Sequence, residues 1–476
     1  MKRTGTKSSK REGGSASWPE NGHAPASGNV GNRERSGNES QARTAHDENA
    51  GEGTMKLMEE VLRKENIWKA YKRVKGNKGA PGVDEMTVDE LGPFCRSHWE
   101  EVRESLINES YRPKPVRKKE VDKPFGSGTR MLGIPIVLDR MIQQAILQVL
   151  TPIFDPTFSN SSFGFRPGRN ALQAIKQAEA YVKGGYDWAV DLDLSKFFDR
   201  VNHDVLMSRI ARRIKDKRVL RLIRRYLQVG MMEGGLASPR TEGTPQGSPL
   251  SPLLSNILLD ELDKELEARG HRFCRYADDF TIYVKSEAAG QRVKETLTKF
   301  LGKRLRLKVN EEKSAVARPW DRNFLGYSFT GKKDTRVCVS RESVKKLRMK
   351  LKPRWKKGRG CSIKSTIAKL NQTIVGWASY FRLDETGWAM GRLDSWIRRR
   401  IRCIIWRHWK RLRTRIKNLM SHGVPLHIAR SLACSNAGPW KASRHPAMQM
   451  AYSNKTLARM GLKSLFDEYQ RFNSST

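Results

Sequence analysis

Two hydrophobic rhythms divide the chain. Apolar and acidic residues alternate through WAVDLDL, residues 188–194, which is the period of a strand. Similar short β-prone runs at 113–121, 129–134, 272–277, 280–284 and 324–329 read as further strands. Helical spacing marks 57–75, 85–110, 138–151, 203–229, 252–268 and 287–303, and 341–470 is mainly helical. The turn-rich GNKGAPG, residues 76–82, separates the first two helices. In 252–268 the apolar positions are Leu254, Ile257, Leu258, Leu262 and Leu266. Strands interleaved with helices around one antiparallel sheet predict an α+β fold, and no solenoid repeat is visible. Residues 1–54 carry mostly Ser, Gly, Asn, Arg and Glu, with few large apolar residues. Such a segment cannot bury enough surface to offset its ordering entropy, so disorder is expected there. Met55 stands just before the first helical pattern and is an alternative start.

Charge narrows the class. The 476 residues hold 91 Lys and Arg against 50 Asp and Glu, a net charge of +41 that calls for a polyanionic partner. Residues 341–420 hold 24 basic against four acidic side chains, so the excess is concentrated there. Within it, 398–417 reads as a helix with an apolar stripe of Ile401, Ile404, Ile405 and Trp409 and a basic opposite face. A solvated or membrane-surface helix would share that pattern. The nearby Trp residues favour RNA, because aromatics stack on unpaired bases. The six cysteines are scattered without zinc-ligand spacing, which suits a reducing cytoplasm. No apolar run is long enough to span a membrane.

The chemistry-bearing segment is CRYADDFTIYV, Cys274–Val284. A strand running through Asp278 and Asp279 would bury unpaired charge, so the pair is expected in the tight turn of a hairpin. A solvated acidic turn is the alternative for two aspartates alone. Asp193 supplies a third carboxylate, and Asp191 shares its strand face. Hard Mg²⁺ prefers such oxygen ligands, and two ions can clamp the attacking and leaving oxygens of a phosphoryl transfer. Between these segments, 241–266 combines a Gly/Pro/Ser-rich loop with a helix, a means of bringing backbone close to a nucleotide.

Asp193 with Phe197 and Phe198, then TPQGSPLSPLLSN, then YADD, resembles the palm of reverse transcriptases in order and spacing. KGAPGVD (78–84), TRMLGIPIVLDRMIQQAI (129–146) and SSFGFRPGRNALQAI (161–175) resemble the N-terminal extension and fingers of group II intron reverse transcriptases. LKVNEEKSAV (307–316) and FLGYSF (324–329) resemble the last palm blocks, and LNQTIVGWASYFR (370–382) the maturase, or X, region. The resemblance covers roughly residues 55–470, and ordered blocks are more specific than any one string.

It implies a right-hand polymerase, fingers and palm, followed by a helical thumb and maturase domain. The division is 1–54 disordered, 55–187 extension and fingers, 188–330 palm, 331–420 thumb and X domain, and 421–476 a C-terminal extension that binds DNA or RNA. The implied activity is RNA-directed DNA synthesis by a group II intron protein that also assists splicing and supports retrohoming by target-primed cDNA synthesis. Asp193, Asp278 and Asp279 would hold two Mg²⁺ ions, with Mn²⁺ as a substitute. Lys313 would neutralise the departing pyrophosphate, and Arg130 would meet the triphosphate. Gln246 and Gly247 would line the nucleotide site, and Phe198 would block a ribose 2′-hydroxyl. Phe198 also reads as palm core, Lys313 as a surface lysine, and Asp191 as a supporting group. Trp377, Tyr380, Arg398, Arg399 and Arg400 are the candidate RNA contacts. The partners implied are intron RNA, an RNA template with its DNA primer, target DNA and dNTPs, in a bacterial cytoplasm. No paired Cys/His ligands follow residue 420, so the resemblance is to members without an HNH endonuclease. A phage-defence or CRISPR-associated polymerase, and a maturase with a dead polymerase, are the competing classes. Oligomeric state is not legible.

Overall fold

Burying the apolar faces anticipated above shapes the chain into two units in a computed structural model. It describes residues 55–122, 129–233, 236–238, 242–245, 247–357 and 360–474. The disorder expected for 1–54 lies outside the described residues. Elements are numbered along the chain. One unit comprises the described residues up to Val121, Met131–Thr157 and Phe198–Leu258; the other comprises Asp122–Arg130, Phe158–Phe197 and the chain from Leu259.

In the first unit the helix expected over 57–75 is two helices, α1 (Leu57–Leu62) and α2 (Lys64–Gly76). Arg63 between them has an extended ψ of 134°, which breaks the helical path. α2 buries Ile67, Ala70, Tyr71 and Val74, one face at helical spacing, and packs on α4 (Val137–Phe154). α3 is Leu91–Ile107, shorter than the 85–110 expected. The helix expected over 203–229 also divides, into α6 (His203–Ala211) and α7 (Lys217–Gln228). The cause is Asp216, whose buried carboxylate accepts the Arg218 N–H at 2.9 Å as N-cap of α7 and the Met58 N–H at 3.0 Å. A four-stranded sheet runs in the order β2 (Thr129–Ile134), β1 (Val116–Asp122), β4 (Met231–Glu233), β5 (Leu236–Ser238). The last two strands were not anticipated. They pair antiparallel, and β4 pairs parallel with β1.

A buried carboxylate braces this unit. Asp139 of α4 accepts the Tyr111 hydroxyl at 2.8 Å, the Tyr226 hydroxyl at 3.1 Å and the Lys114 N–H at 3.1 Å. Burial outweighs these donors and pushes its carboxyl up to about 6.

The division between units falls within α8 (Ser251–Ala268), whose five expected apolar positions are all buried. The second unit is built on an antiparallel sheet ordered β6 (Arg272–Tyr276), β7 (Asp279–Val284), β3 (Trp188–Leu192), β8 (Ala315–Ala317). α5 (Ala171–Lys183) packs against β6, and α9 (Glu287–Phe300) packs against β3, β7 and β8. α9 passes into a π turn at Leu301–Leu305. The strand expected over 324–329 contracts to β9 (Tyr327–Phe329), paired with β10 (Val337–Val339). Before it, Leu325 (φ 51°) and Gly326 (φ 85°) form a tight turn.

Helices complete the unit: α10 (Arg341–Lys357), α11 (Ile363–Tyr380), α12 (Trp388–His408), α13 (Leu412–Ser421) and α14 (Leu426–Cys434). Short helices α15 (Pro439–Ala442), α16 (Pro446–Ala451) and α17 (Asn454–Arg459) lead to α18 (Leu465–Ser474). Ile401, Ile404, Ile405 and Trp409 are buried as expected. However, the basic 398–417 stretch is not one helix. The chain leaves helical geometry at Trp409, with ψ 87°, where the indole turns into the core. Asp394 on α12 accepts the Leu465 N–H at 2.8 Å and the Phe466 N–H at 3.1 Å, tying down the start of α18. A single apolar core runs from Ala189 and Tyr283 on the sheet through to Leu465.

Candidate active site

The β6–β7 hairpin closes with two residues, Ala277 and Asp278, because Tyr276 pairs with Asp279. Asp278 therefore occupies the turn, whereas Asp279 begins β7 and is exposed. Ala277 has φ 59°, the positive angle that a tight hairpin demands at its first turn position. A side chain rarely adopts that angle without support from its surroundings.

Three contacts supply the support. Arg275, fully buried, grips Asp263 of α8 through Nε at 2.7 Å and Nη2 at 2.5 Å. Its Nη1 donates to the Ala277 carbonyl at 3.0 Å. The loop before α5 lies against the turn: the Arg275 N–H donates to Ser161 O, and Phe163 N–H donates to Arg275 O, both at 2.8 Å. Gly164 of that loop is so close that a Cβ there would stand 2.3 Å from the Ala277 nitrogen.

Asp193 follows the end of β3. Leu192 pairs with Phe280, so Asp193 lies one step beyond on the strand beside the one that begins with Asp279. Its N–H donates to Ser314 Oγ at 2.9 Å, and its carbonyl accepts the Asn310 N–H at 2.7 Å. Lys313 Nζ stands 3.7 Å from Asp193 Oδ2, and both side chains are exposed to water. Asp191 is committed elsewhere, accepting the Thr281 hydroxyl at 2.6 Å and Arg322 Nε at 2.5 Å. The sheet thus brings Asp193, Asp278, Asp279 and Lys313 to one end of paired strands. Among the described residues no three acidic, His or Cys side chains converge tightly enough to constitute a metal cage. The donor set still suits a hard divalent cation, which takes one or two carboxylates and completes its shell with water and substrate phosphates.

Tyr380, at the end of α11, belongs near this end too. Its hydroxyl donates to the Leu325 carbonyl at 2.9 Å, and the Tyr327 hydroxyl donates to the Tyr380 carbonyl. Burial, then neighbouring Tyr276 and Asp279, hold its phenol above the ordinary value. Trp377 packs on Phe381 at 4.5 Å and is largely a core contact. Arg399 and Arg400 lie over the Trp440 ring at 3.4 and 4.6 Å, and Arg399 Nη2 donates to the Trp440 carbonyl at 3.0 Å. Arg398 is half-buried.

The nucleotide-side candidates Phe198 and Gly247 belong to the first unit, and Arg130 to the second. The Thr244 N–H donates to the carbonyl of half-buried Phe198 at 2.6 Å. Gly247 has φ 114°, and a Cβ there would meet the Gly133 carbonyl of β2 at 3.1 Å, so only glycine fits without strain. Arg130 lies in β2 by its backbone. Gln246 falls outside the described residues. Sequence reading missed Arg275, Asp263 and Ser314. The available signal was an arginine inside an apolar strand, which requires a buried acid.

Residues 116–329 match the reverse transcriptase (RNA-dependent DNA polymerase) family, and residues 344–423 match the group II intron maturase-specific domain. Protein YkfC of Escherichia coli (strain K12) is 31% identical over 58% of this chain and 82% of its own length. Group II intron-encoded protein LtrA of Lactococcus lactis subsp. cremoris is 30% identical over 59% of this chain and 57% of its own. Nuclear intron maturase 1 of Arabidopsis thaliana is 26% identical over 32% of this chain and 29% of its own. A chain of a Cas6-RT-Cas1–Cas2 complex aligns with 51% of this chain and 41% of its own, at 26% identity and a TM-score of 0.34. With its palm sheet, its braced YADD hairpin and the helical region behind them, the chain belongs to the reverse transcriptases that carry a group II intron maturase domain, and it is an RNA-directed DNA polymerase.

Proposed function

We propose that this polymerase acts at the end of the sheet where Asp193, Asp278 and Asp279 lie. The carrying observation is that Arg275, Asp263 and Gly164 hold the Ala277–Asp278 turn in a conformation that an alanine does not take unaided. Divalent metal is general to the family, and Mg²⁺ is the ion proposed here. When bound, it would activate the primer 3′-hydroxyl and neutralise charge on the triphosphate. The chain's own work is positioning and charge balance, which dominate phosphoryl transfer. Asp193, Asp278 and Asp279 would orient the ions. Lys313, beside Asp193, would offset charge on the leaving pyrophosphate. Arg130 would meet the triphosphate, Gln246 and Gly247 would line the nucleotide site, and Phe198 would exclude a 2′-hydroxyl.

The helical region would bind the intron RNA that encodes the protein, assist its splicing and seat it for target-primed cDNA synthesis. The matched maturase domain and the high basic charge of 341–420 support this reading. Residues 421–476 would extend the nucleic-acid surface. Extension of a DNA primer on an RNA template by the Asp278→Ala/Asp279→Ala variant tests the polymerase site. Extension should be lost while RNA binding is kept; undiminished extension would remove these residues from the site.

A further inference from the structure

A face of α10 that the sequence reading did not single out carries Arg341, Lys345, Arg348 and Lys352, all exposed. The spacing of four, three and four residues keeps them in one stripe along the helix. Among the described residues, Lys345, Arg348 and Lys352 have no acidic partner within ion-pair distance. α12 packs beside α10 and presents Trp388, Arg392, Trp396 and Arg400 at steps of four. Arg392 lies over Trp388 at 5.5 Å, and Arg348 and Arg400 each lie over Trp396 at 5.5 Å. Cations and half-exposed indoles therefore alternate down a shared groove.

Two clefts run along that groove and share Lys345 and Arg348. The larger, of about 1060 Å³, reaches Trp320, Arg322 and Trp388; Asp321 and Glu342 are the acids on its wall. The smaller, of about 390 Å³, is lined by Lys352, Trp355, Trp396 and Arg407 and holds no acid. At its wall Trp355 is 6% exposed, and its indole N–H is buried with no acceptor among the described residues. A buried donor left unpaired is costly, so an acceptor from outside is the natural complement.

We propose that this α10–α12 groove is a track for a single-stranded segment of RNA. Phosphates would run along the Lys345–Arg348–Lys352 stripe, bases would stack on Trp388 and Trp396, and one phosphate or base oxygen would accept the Trp355 N–H. Four residues of helix rise about 6 Å, within reach of successive phosphates of an extended strand. Stacking requires unpaired bases, which a duplex does not offer. The track rests on the RNA-binding reading of the helical region, and it places the phosphate contacts on Lys345, Arg348 and Lys352 rather than on Arg398 and Arg399, with Arg400 at its edge over Trp396.

The test uses the full chain with a fluorescent, unstructured RNA oligonucleotide and a blunt RNA duplex of the same length, titrated over a range of salt. Lys345→Gln/Arg348→Gln/Lys352→Gln should lower the salt slope for the single strand by about two units, at about 0.7 for each lost phosphate contact. Trp388→Ala/Trp396→Ala should weaken the single strand roughly tenfold or more and leave the duplex unchanged. Trp355→Phe removes the N–H together with part of the buried ring, so it also costs some stability through the vacated volume, and binding is compared under conditions where urea unfolding shows the variant fully folded. Single-strand binding should then weaken by about twofold to tenfold while duplex binding is unchanged. Equal losses for single strand and duplex, or unchanged single-strand binding in all three variants, would overturn the track. Primer extension on a homopolymer template separates the two readings. Extension that survives in these variants while single-strand binding falls supports the track, and extension that falls in parallel assigns the groove to the primer–template path and overturns it.

Discussion

Replacing Arg275 by Met should cost stability and catalysis for two distinguishable reasons. Arg275 and Asp263 are both fully buried and joined at two points. Removing one partner of such a pair leaves a buried, uncompensated charge and costs about 3–5 kcal/mol. Burial already holds the Asp263 carboxyl above its ordinary value, against the opposing pull of Arg275. Without Arg275 the value rises further. A carboxyl raised in the folded state binds its proton more tightly there than in the unfolded chain. The variant should therefore recover stability as pH falls from neutrality toward the ordinary carboxylate range. Arg275→Met/Asp263→Leu removes both charges and should recover most of the loss, since an apolar replacement of a buried pair is often neutral. Extension should not recover, because the Ala277 carbonyl still lacks its donor and the turn carrying Asp278 is less constrained. Urea unfolding across pH and primer extension on the same preparations provide the readout. A loss below about 1 kcal/mol in the single variant, or wild-type extension in the double variant, would refute the reasoning.

Gly164→Ala should reduce extension at least tenfold and cost about 1–3 kcal/mol, as overpacking does, because the new methyl would stand 2.3 Å from backbone of the Ala277–Asp278 turn; wild-type extension would refute this packing. Asp139→Asn should flatten a pH dependence of stability. With a carboxyl moved from 3.8 to about 6, the wild type loses about 3 kcal/mol as pH rises through that window, and urea midpoints across the window check the slope. Phe198→Ala should raise ribonucleotide incorporation relative to deoxynucleotides in a single-nucleotide extension assay; unchanged discrimination would make the ring a packing residue.

Much of this protein was legible along the chain. The strand period of 188–194 predicted β3, and the apolar stripe of 252–268 is buried as written. Buried charge in a strand is costly, so the Asp278–Asp279 pair was expected in a turn; Asp278 lies there, while Asp279 opens β7 at an exposed position. Local period and local cost suffice for such features, because each depends on residues within a few positions.

The rest required partners distant in sequence. Asp216 caps α7 through the nearby Arg218 N–H, but its second donor at the break between α6 and α7 is Met58, 158 residues away. Asp263 and Arg275 acquire meaning only when α8 and β6 meet. Arg399 and Arg400 read as candidate RNA contacts on the basic face, and the structure lays both over Trp440, about forty positions on. Tyr380 read as a maturase surface residue, and the turn at Leu325 draws it toward the Asp279 end of the palm. A sequence fixes the period of each element and the polarity of each face. Which faces meet, and which charge therefore finds its counter-charge, is settled only when long-range packing removes water from between them.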